Sequence, residues 1–284
     1  MKPVRIVTDS SAHLTPDEIE RFGIRVVPMR LRIGRRIYQE GVELNIDSYA
    51  RKLSAVKTLP RAQAPLLQEF VDVYHALSKE TDQILSLHIS GKLSNTVQMA
   101  RTAAASLRGH TRITIIDSES ISRGLGMVVI RAAEEAARGA ALPDIARMVR
   151  GIIPSIFLSF FVDDLNYPER DGMIRRSQAI LGTMLRIHPL MEMREGNLIV
   201  MEKVRNSQDM VEKLFTFINE FAYLKEISLL QRGNTQDATQ LLERLELAYP
   251  DLPVFTDAYH PTLATFIGLT GLGVIVREQA DHYF

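Results

Sequence analysis

At 284 residues the chain is too long for one small core and suits two domains of ordinary size. Hydrophobic residues make up 46% and charged residues 24%, which excludes long disorder, while Lys plus Arg equals Asp plus Glu at 34 each, leaving no whole-chain field for nucleic acid or an anionic membrane. Cysteine is absent, which excludes disulfides, thiolate metal sites and thiol catalysis and fits a reducing compartment.

Residues 4–8 read as a buried strand ending in Asp9-Ser10-Ser11, and the apolar run before Asp9 is too short for a secretory leader. Thr15-Pro16-Asp17-Glu18 then supplies an N-cap, a proline at the first helical position and the acid of a capping box. Residues 24–33 alternate as one second strand, Gly34-Arg35-Arg36 is a turn, and residues 46–56 and 66–77 carry helical apolar spacing. Residues 84–89 form the next strand, and Ser90 to Thr96 leads into a helix that Gly109 can stop. Residues 112–116 give another strand, ending in Asp117-Ser118, after which an alanine-rich helix runs to about Gly139. A helix over residues 142–154 closes the first half, and the domain boundary falls there, giving domains 1–154 and 155–284.

The second half opens with a strand over residues 156–162 and a short polar segment, 167–177. Strands at 186–193 and 198–204 are joined by Arg194-Glu195-Gly196-Asn197, a hairpin signal. A helix at 207–221, a strand at 226–231, a helix at 235–249 and strands at 254–258 and 273–276 complete it. Strands alternating with helices predict an α/β protein with a mainly parallel N-terminal sheet, and the hairpin makes the C-terminal sheet mixed. The longest apolar run, residues 151–162, is interrupted by Pro154 and falls short of the ~20 residues that cross a bilayer, so no stable membrane insertion and a cytoplasmic location are expected.

Ligands of parallel sheets bind beyond the carboxyl ends of the strands, where helix N-termini favour anions. Three such ends carry hydroxyl clusters: Thr8-Asp9-Ser10-Ser11, Ser90 with Ser94 and Thr96, and Asp117-Ser118 with Ser120 and Ser122. Helix capping is the better explanation of any one of them; three at one sheet edge weaken it for the group and leave room for a ligand. No G-x-S-x-G elbow supports a serine nucleophile, and His88, on the same strand face as Ser90, reads as a hydrogen-bonded core residue. Nucleotide-binding glycine motifs are absent, and His13, His75, His88, His110, His188, His260 and His282 are too scattered for a zinc site. His260 follows a strand and suits hydrogen bonding to a carboxylate, whereas Arg30, Arg32, Arg35 and Arg36 read as a solvated strand and turn.

Four stretches taken in order resemble the DegV family, the fatty-acid-binding proteins that include the acyl-carrying subunit of bacterial fatty acid kinase. They are residues 4–11 (VRIVTDSS), 38–49 (YQEGVELNIDSY), 90–100 (SGKLSNTVQMA) and 117–126 (DSESISRGLG), with weaker echoes over nearly the whole chain. The resemblance implies two α/β domains with the ligand crevice between them, and a non-enzymatic carrier that holds a long-chain fatty acid there and presents it to a kinase subunit. It implies no cofactor, no metal and no catalytic residue. Ser94 matches the family's carboxylate-contacting serine, His260 its C-terminal histidine, and Arg205 the arginine that engages the kinase. Ser10, Asn95 and Ser118 complete the expected ligand-binding set together with Ala62, which stands where the family has a carboxylate-binding threonine. Asp171-Gly172-Met173-Ile174 also lacks the family's arginine, a loss that Arg175 and Arg176 are near enough in sequence to make good. Two other functions share these residues: an enzyme acting on a small carboxylated or phosphorylated substrate at the same anion site, and a regulatory protein with an incidental lipid and Arg205 as its exposed contact.

Overall fold

The computed structural model describes residues 2–107, 109, 111–162, 164–232 and 235–279; His110 and His282 lie outside them. The chain divides into two compact units, Met1–Pro154 and Ser155–Phe284.

In the first unit, β1 (Arg5–Asp9), β2 (Arg25–Val27), β6 (Gln83–His88) and β7 (Arg112–Asp117) form a parallel sheet in the order β2-β1-β6-β7. The segment read as one strand over residues 24–33 is two. Pro28 cannot donate to a ladder, and the chain leaves the parallel sheet there. It continues into β3 (Arg30–Ile33), the centre of a separate antiparallel sheet with β4 (Arg36–Gln39) and β5 (Arg61–Gln63). Arg36 therefore belongs to a strand, with only Gly34 and Arg35 turning.

The helices of this unit are α1 (Pro16–Phe22), α2 (Ile46–Ser54), α3 (Leu67–Ser78), α4 (Thr96–Ser106), α5 (Arg123–Ala137) and α6 (Leu142–Ile152). Thr15 and Glu18 close the capping box at the start of α1, as the sequence predicts. Phe70 and Tyr74 of α3 and Ala100 of α4 pack on Val7, Val27 and Ile84 of the sheet. α5 lies so close to the 3-10 turn Ser10–Ala12 that a Cβ on Gly126 would stand 2.4 Å from the carbonyl oxygen of Ala12. α4 ends before Gly109, at Ser106.

The second unit is a six-stranded mixed sheet made of β8 (Ile156–Phe161), β9 (His188–Arg194), β10 (Asn197–Val204), β11 (Leu224–Gln231), β12 (Val254–Ala258) and β13 (Leu272–Glu278). Their order is β10-β9-β8-β13-β11-β12, and only the β11–β12 pair is parallel. Glu195 and Gly196, at φ 48° and 77°, make the tight turn between β9 and β10, a conformation glycine adopts without strain. α9 (Ser207–Asn219) and α10 (Gln236–Ala248) bury Leu214, Ile218, Leu241 and Leu245 against Ile227, Leu229 and Val274. Three helices are absent from the sequence reading: α7 (Asn166–Arg170), α8 (Arg176–Met184) and α11 (Pro261–Ile267). Arg170 holds the first and last of them together, donating to the carbonyl oxygen of Thr265 at 2.7 Å.

Candidate functional site

The carboxyl edge of the parallel sheet is stitched together by side chains. Asp9 ends β1 fully buried, and each of its carboxylate oxygens serves a different loop. Oδ1 accepts the Ser11 N–H at 3.1 Å and the Ser11 hydroxyl. Oδ2 accepts the Ile89 N–H and pairs with Nδ1 of His88, both at 3.0 Å. At the next junction the Ser90 N–H donates to the Ser120 carbonyl at 2.9 Å, and the Ser118 N–H to the His88 carbonyl at 3.1 Å. Asp117 accepts the Gly91 N–H at 3.0 Å; a Cβ on Gly91 would approach Oδ2 of Asp117 to 2.6 Å, so a side chain there would displace that carboxylate.

The expected site residues differ in what their polar groups do. Ser10 accepts the Met29 N–H at 2.8 Å and donates to the buried carboxylate of Glu40 at 2.5 Å. The buried hydroxyl of Ser118 donates to the Ser120 carbonyl at 3.3 Å and accepts the Ser120 N–H at 3.2 Å. Ser94 is half-buried, with its hydroxyl 2.8 Å from that of Thr96, and Asn95 is exposed. Ala62 sits in β5 opposite Leu31 and brings no hydrogen-bonding side chain. Helix capping accounts for Asp9, which accepts the Ser11 N–H, but Asn95 and Ser122 precede α4 and α5 without a side-chain cap bond. These two helices thus keep their first N–H groups uncapped by side chains at this edge, an arrangement suited to an anion. Thr8 and Ser120 carry buried hydroxyl oxygens without a hydrogen-bond partner. The sequence placed both in the clusters but offered no reason to prefer them.

His88 is the buried, bonded histidine that its strand position predicts. It does not activate Ser90. Its Nε2 lies 2.7 Å from the hydroxyl of Ser86, which is 2.8 Å from the Tyr74 hydroxyl, and burial pushes the Tyr74 phenol up. The Ser86–His88–Asp9 connectivity is that of a hydrolytic triad, yet all three residues have 0% exposure and no substrate carbonyl can reach the serine.

In the second unit His260 is half-buried at the N-cap position of α11, making no side-chain cap bond. Arg205, between β10 and α9, is exposed. Arg175 and Arg176 are both exposed at the start of α8, and neither lines the pocket that this helix walls. That pocket is apolar, about 240 Å³ in volume, with Leu181 and Leu185 set against Leu165, Ile174, Ile187 and Val200. The signal for it in the sequence is the spacing of Leu181 and Leu185, four apart on one helical face. Among the described residues no group of three or more His, Asp or Glu could hold a metal ion, and no helix is long and apolar enough to cross a membrane.

A parallel α/β unit with a hydroxyl-lined carboxyl edge, followed by a mixed α/β unit with an apolar pocket, defines a two-unit α/β class with known relatives. Residues 3–279 match the family model described as "Uncharacterised protein, DegV family". A DegV domain-containing protein of Deinococcus radiodurans is 32% identical over 254 residues, spanning 88% of this chain and 90% of that one. A solved structure of a DegV family protein from Thermus thermophilus, described as fatty-acid binding, superposes with a TM-score of 0.85 at 28% identity, covering 98% of this chain and 100% of that one. The fatty-acid-binding DegV family protein of Streptococcus agalactiae gives 0.87 at 25% identity, with 98% and 100% covered. The chain belongs to the DegV family.

Proposed function

We propose that this protein is a non-enzymatic cytoplasmic carrier of one long-chain fatty acid, which it buries and presents to a kinase partner. The observation that carries the reading is the relationship to the Thermus thermophilus protein, a full-length relative in fold and sequence described as fatty-acid binding. The chemistry within each unit supports it. The uncapped starts of α4 and α5, with Ser94 and Thr96 beside the first, suit a carboxylate, and within the second unit His260 carries an imidazole suited to hydrogen-bonding one. The apolar pocket behind α8 suits part of an acyl chain, each buried methylene of which is worth ~0.8 kcal/mol before the costs of association. Arg205, exposed on the second unit, is the contact offered to the kinase. The enzyme reading gains nothing from the Ser86–His88–Asp9 row, because all three residues are sealed from solvent.

Native mass spectrometry of protein purified without added lipid, with extraction and identification of the bound molecule, tests the proposal. A stoichiometric long-chain fatty acid is expected. Protein that is empty and fails to take up fatty acids would overturn it.

A further inference from the structure

We infer that Asp9 is a positioning residue for the ligand's head group: its carboxylate, without touching the ligand, fixes the two loops that carry the hydroxyls. This rests on the fatty-acid reading above.

All four partners of Asp9 act as donors. The backbone N–H and hydroxyl of Ser11 converge on Oδ1, and the Ile89 N–H and the His88 ring N–H on Oδ2. One of these oxygens therefore governs the loop after β1, where Ser10 lies, and the other governs the loop after β6, which runs through Ser90 to Ser94. The two loops are 80 residues apart between Asp9 and Ile89, and the carboxylate is the hinge pin they share. His88 ties the carboxylate to the strand behind it: its Nδ1–H donates to Asp9, its Nε2 pairs with the Ser86 hydroxyl, and that hydroxyl pairs with the Tyr74 hydroxyl. The row of bonds runs from the Tyr74 phenol to the carboxylate and ends at the loops.

Only a carboxylate satisfies this geometry. Asparagine has the same shape, but whichever way its amide is turned, a backbone N–H meets an NH₂ group: that of Ser11 on one side or that of Ile89 on the other. Asp9→Asn therefore releases one loop in either orientation, with the sheet beneath unchanged in size and packing. Tyr74→Phe shortens the row at the far end and leaves both loops pinned.

The test compares binding of hexadecanoic acid and hexadecan-1-ol, by displacement of a fluorescent fatty-acid analogue, in the wild type, Asp9→Asn and Tyr74→Phe. Wild type is expected to prefer the acid. In Asp9→Asn the acid should weaken by about tenfold, the loss of one good hydrogen bond, with the alcohol changed by less than about twofold. Tyr74→Phe should keep the wild-type ratio. Amide exchange in the ligand-free Asp9→Asn protein should be faster at Ser11 or Ile89 than in wild type. A wild type that binds neither ligand overturns the functional reading itself; a wild-type preference fully retained by Asp9→Asn overturns the positioning role alone. If Asp9→Asn does not fold, Ser11→Ala, which deletes one hydroxyl donor to the same carboxylate, must lower the acid-to-alcohol ratio, and an unchanged ratio overturns the role equally.

Discussion

His88 and Asp9 meet at 3.0 Å across the adjacent parallel strands β6 and β1, and neither side chain has any exposure. Replacing His88 with Ala leaves the buried carboxylate a donor short, removes the ring partner of the Ser86 hydroxyl and opens a void beside Phe70, whose ring stands edge-on to the imidazole at 5.1 Å. His88→Ala should lose about 3 kcal/mol in urea unfolding, the upper part of the range for unsatisfied buried groups. Tyr74→Phe, which deletes one neutral hydrogen bond, should lose about 1 kcal/mol. Equal losses would mean that the Asp9 contact adds nothing to stability beyond an ordinary bond.

Glu18 serves two elements at once. It accepts the Thr15 N–H at 2.8 Å in the capping box and pairs with Arg123 of α5 at 2.8 Å. Burial alone would raise its carboxyl, but bonding to Arg123 and Thr15 wins and holds it below the ordinary value of 4.5. A carboxyl lowered on folding stabilises fully above its unfolded pKa, and this contribution fades as pH falls through the lower folded value. Glu18→Gln should therefore reduce the melting temperature at pH 7 and converge with wild type well below pH 4.5. A deficit that persists unchanged in acid would assign the effect to packing.

Gly126 meets a backbone oxygen at 2.4 Å once a Cβ is added, and the carbonyl of Ala12 has no rotamer with which to retreat. Gly126→Ala should push α5 from the 3-10 turn and destabilise by about 1–3 kcal/mol, as overpacking does. Circular dichroism melts would measure it, and a neutral outcome would show that the turn yields freely.

Leu185 is exposed in part, so its role in the α8 pocket can be separated from folding. Leu185→Asp should weaken long-chain fatty-acid binding by about tenfold while changing unfolding free energy by no more than about 0.5 kcal/mol, the usual range for surface changes. Unaltered affinity would place the acyl chain elsewhere.

Arg205→Ala should leave fatty-acid affinity unchanged and weaken association with a kinase partner, measured by pull-down and by phosphorylation of the bound acid. Equal loss of both activities would put Arg205 in the ligand pocket instead.

Much of the fold was legible because its signals are local. The capping box at Thr15 and Glu18, and the buried strands around Val7 and Leu85, need no tertiary information. Where reading failed, the deciding contacts were distant or the pattern uniform. Arg61-Ala62-Gln63 has no strand character of its own and becomes β5 by pairing with β3. Every residue of α11 is buried, so it offers no polar face to reveal a helical period. α8 misled in the opposite sense, since Ile180, Leu181, Met184 and Leu185 face outward in part and no large buried stripe marks it. The hydroxyl clusters were visible as residues, but the carboxylate binding Ser11 to Ile89 depends on β1 and β6 lying side by side, which spacing along the chain does not encode.

The strand order of the second unit imposes a schedule on its synthesis. β13, the last strand along the described chain, lies between β8 and β11, antiparallel to both. Until it emerges from the ribosome the nascent unit is two half-sheets, β10-β9-β8 and β11-β12, each with an unpaired inner edge ready for another chain. A ribosome that stalls before Leu272 would therefore release an aggregation-prone product rather than a slightly shortened domain, and the cell must shelter those edges until translation has passed β13.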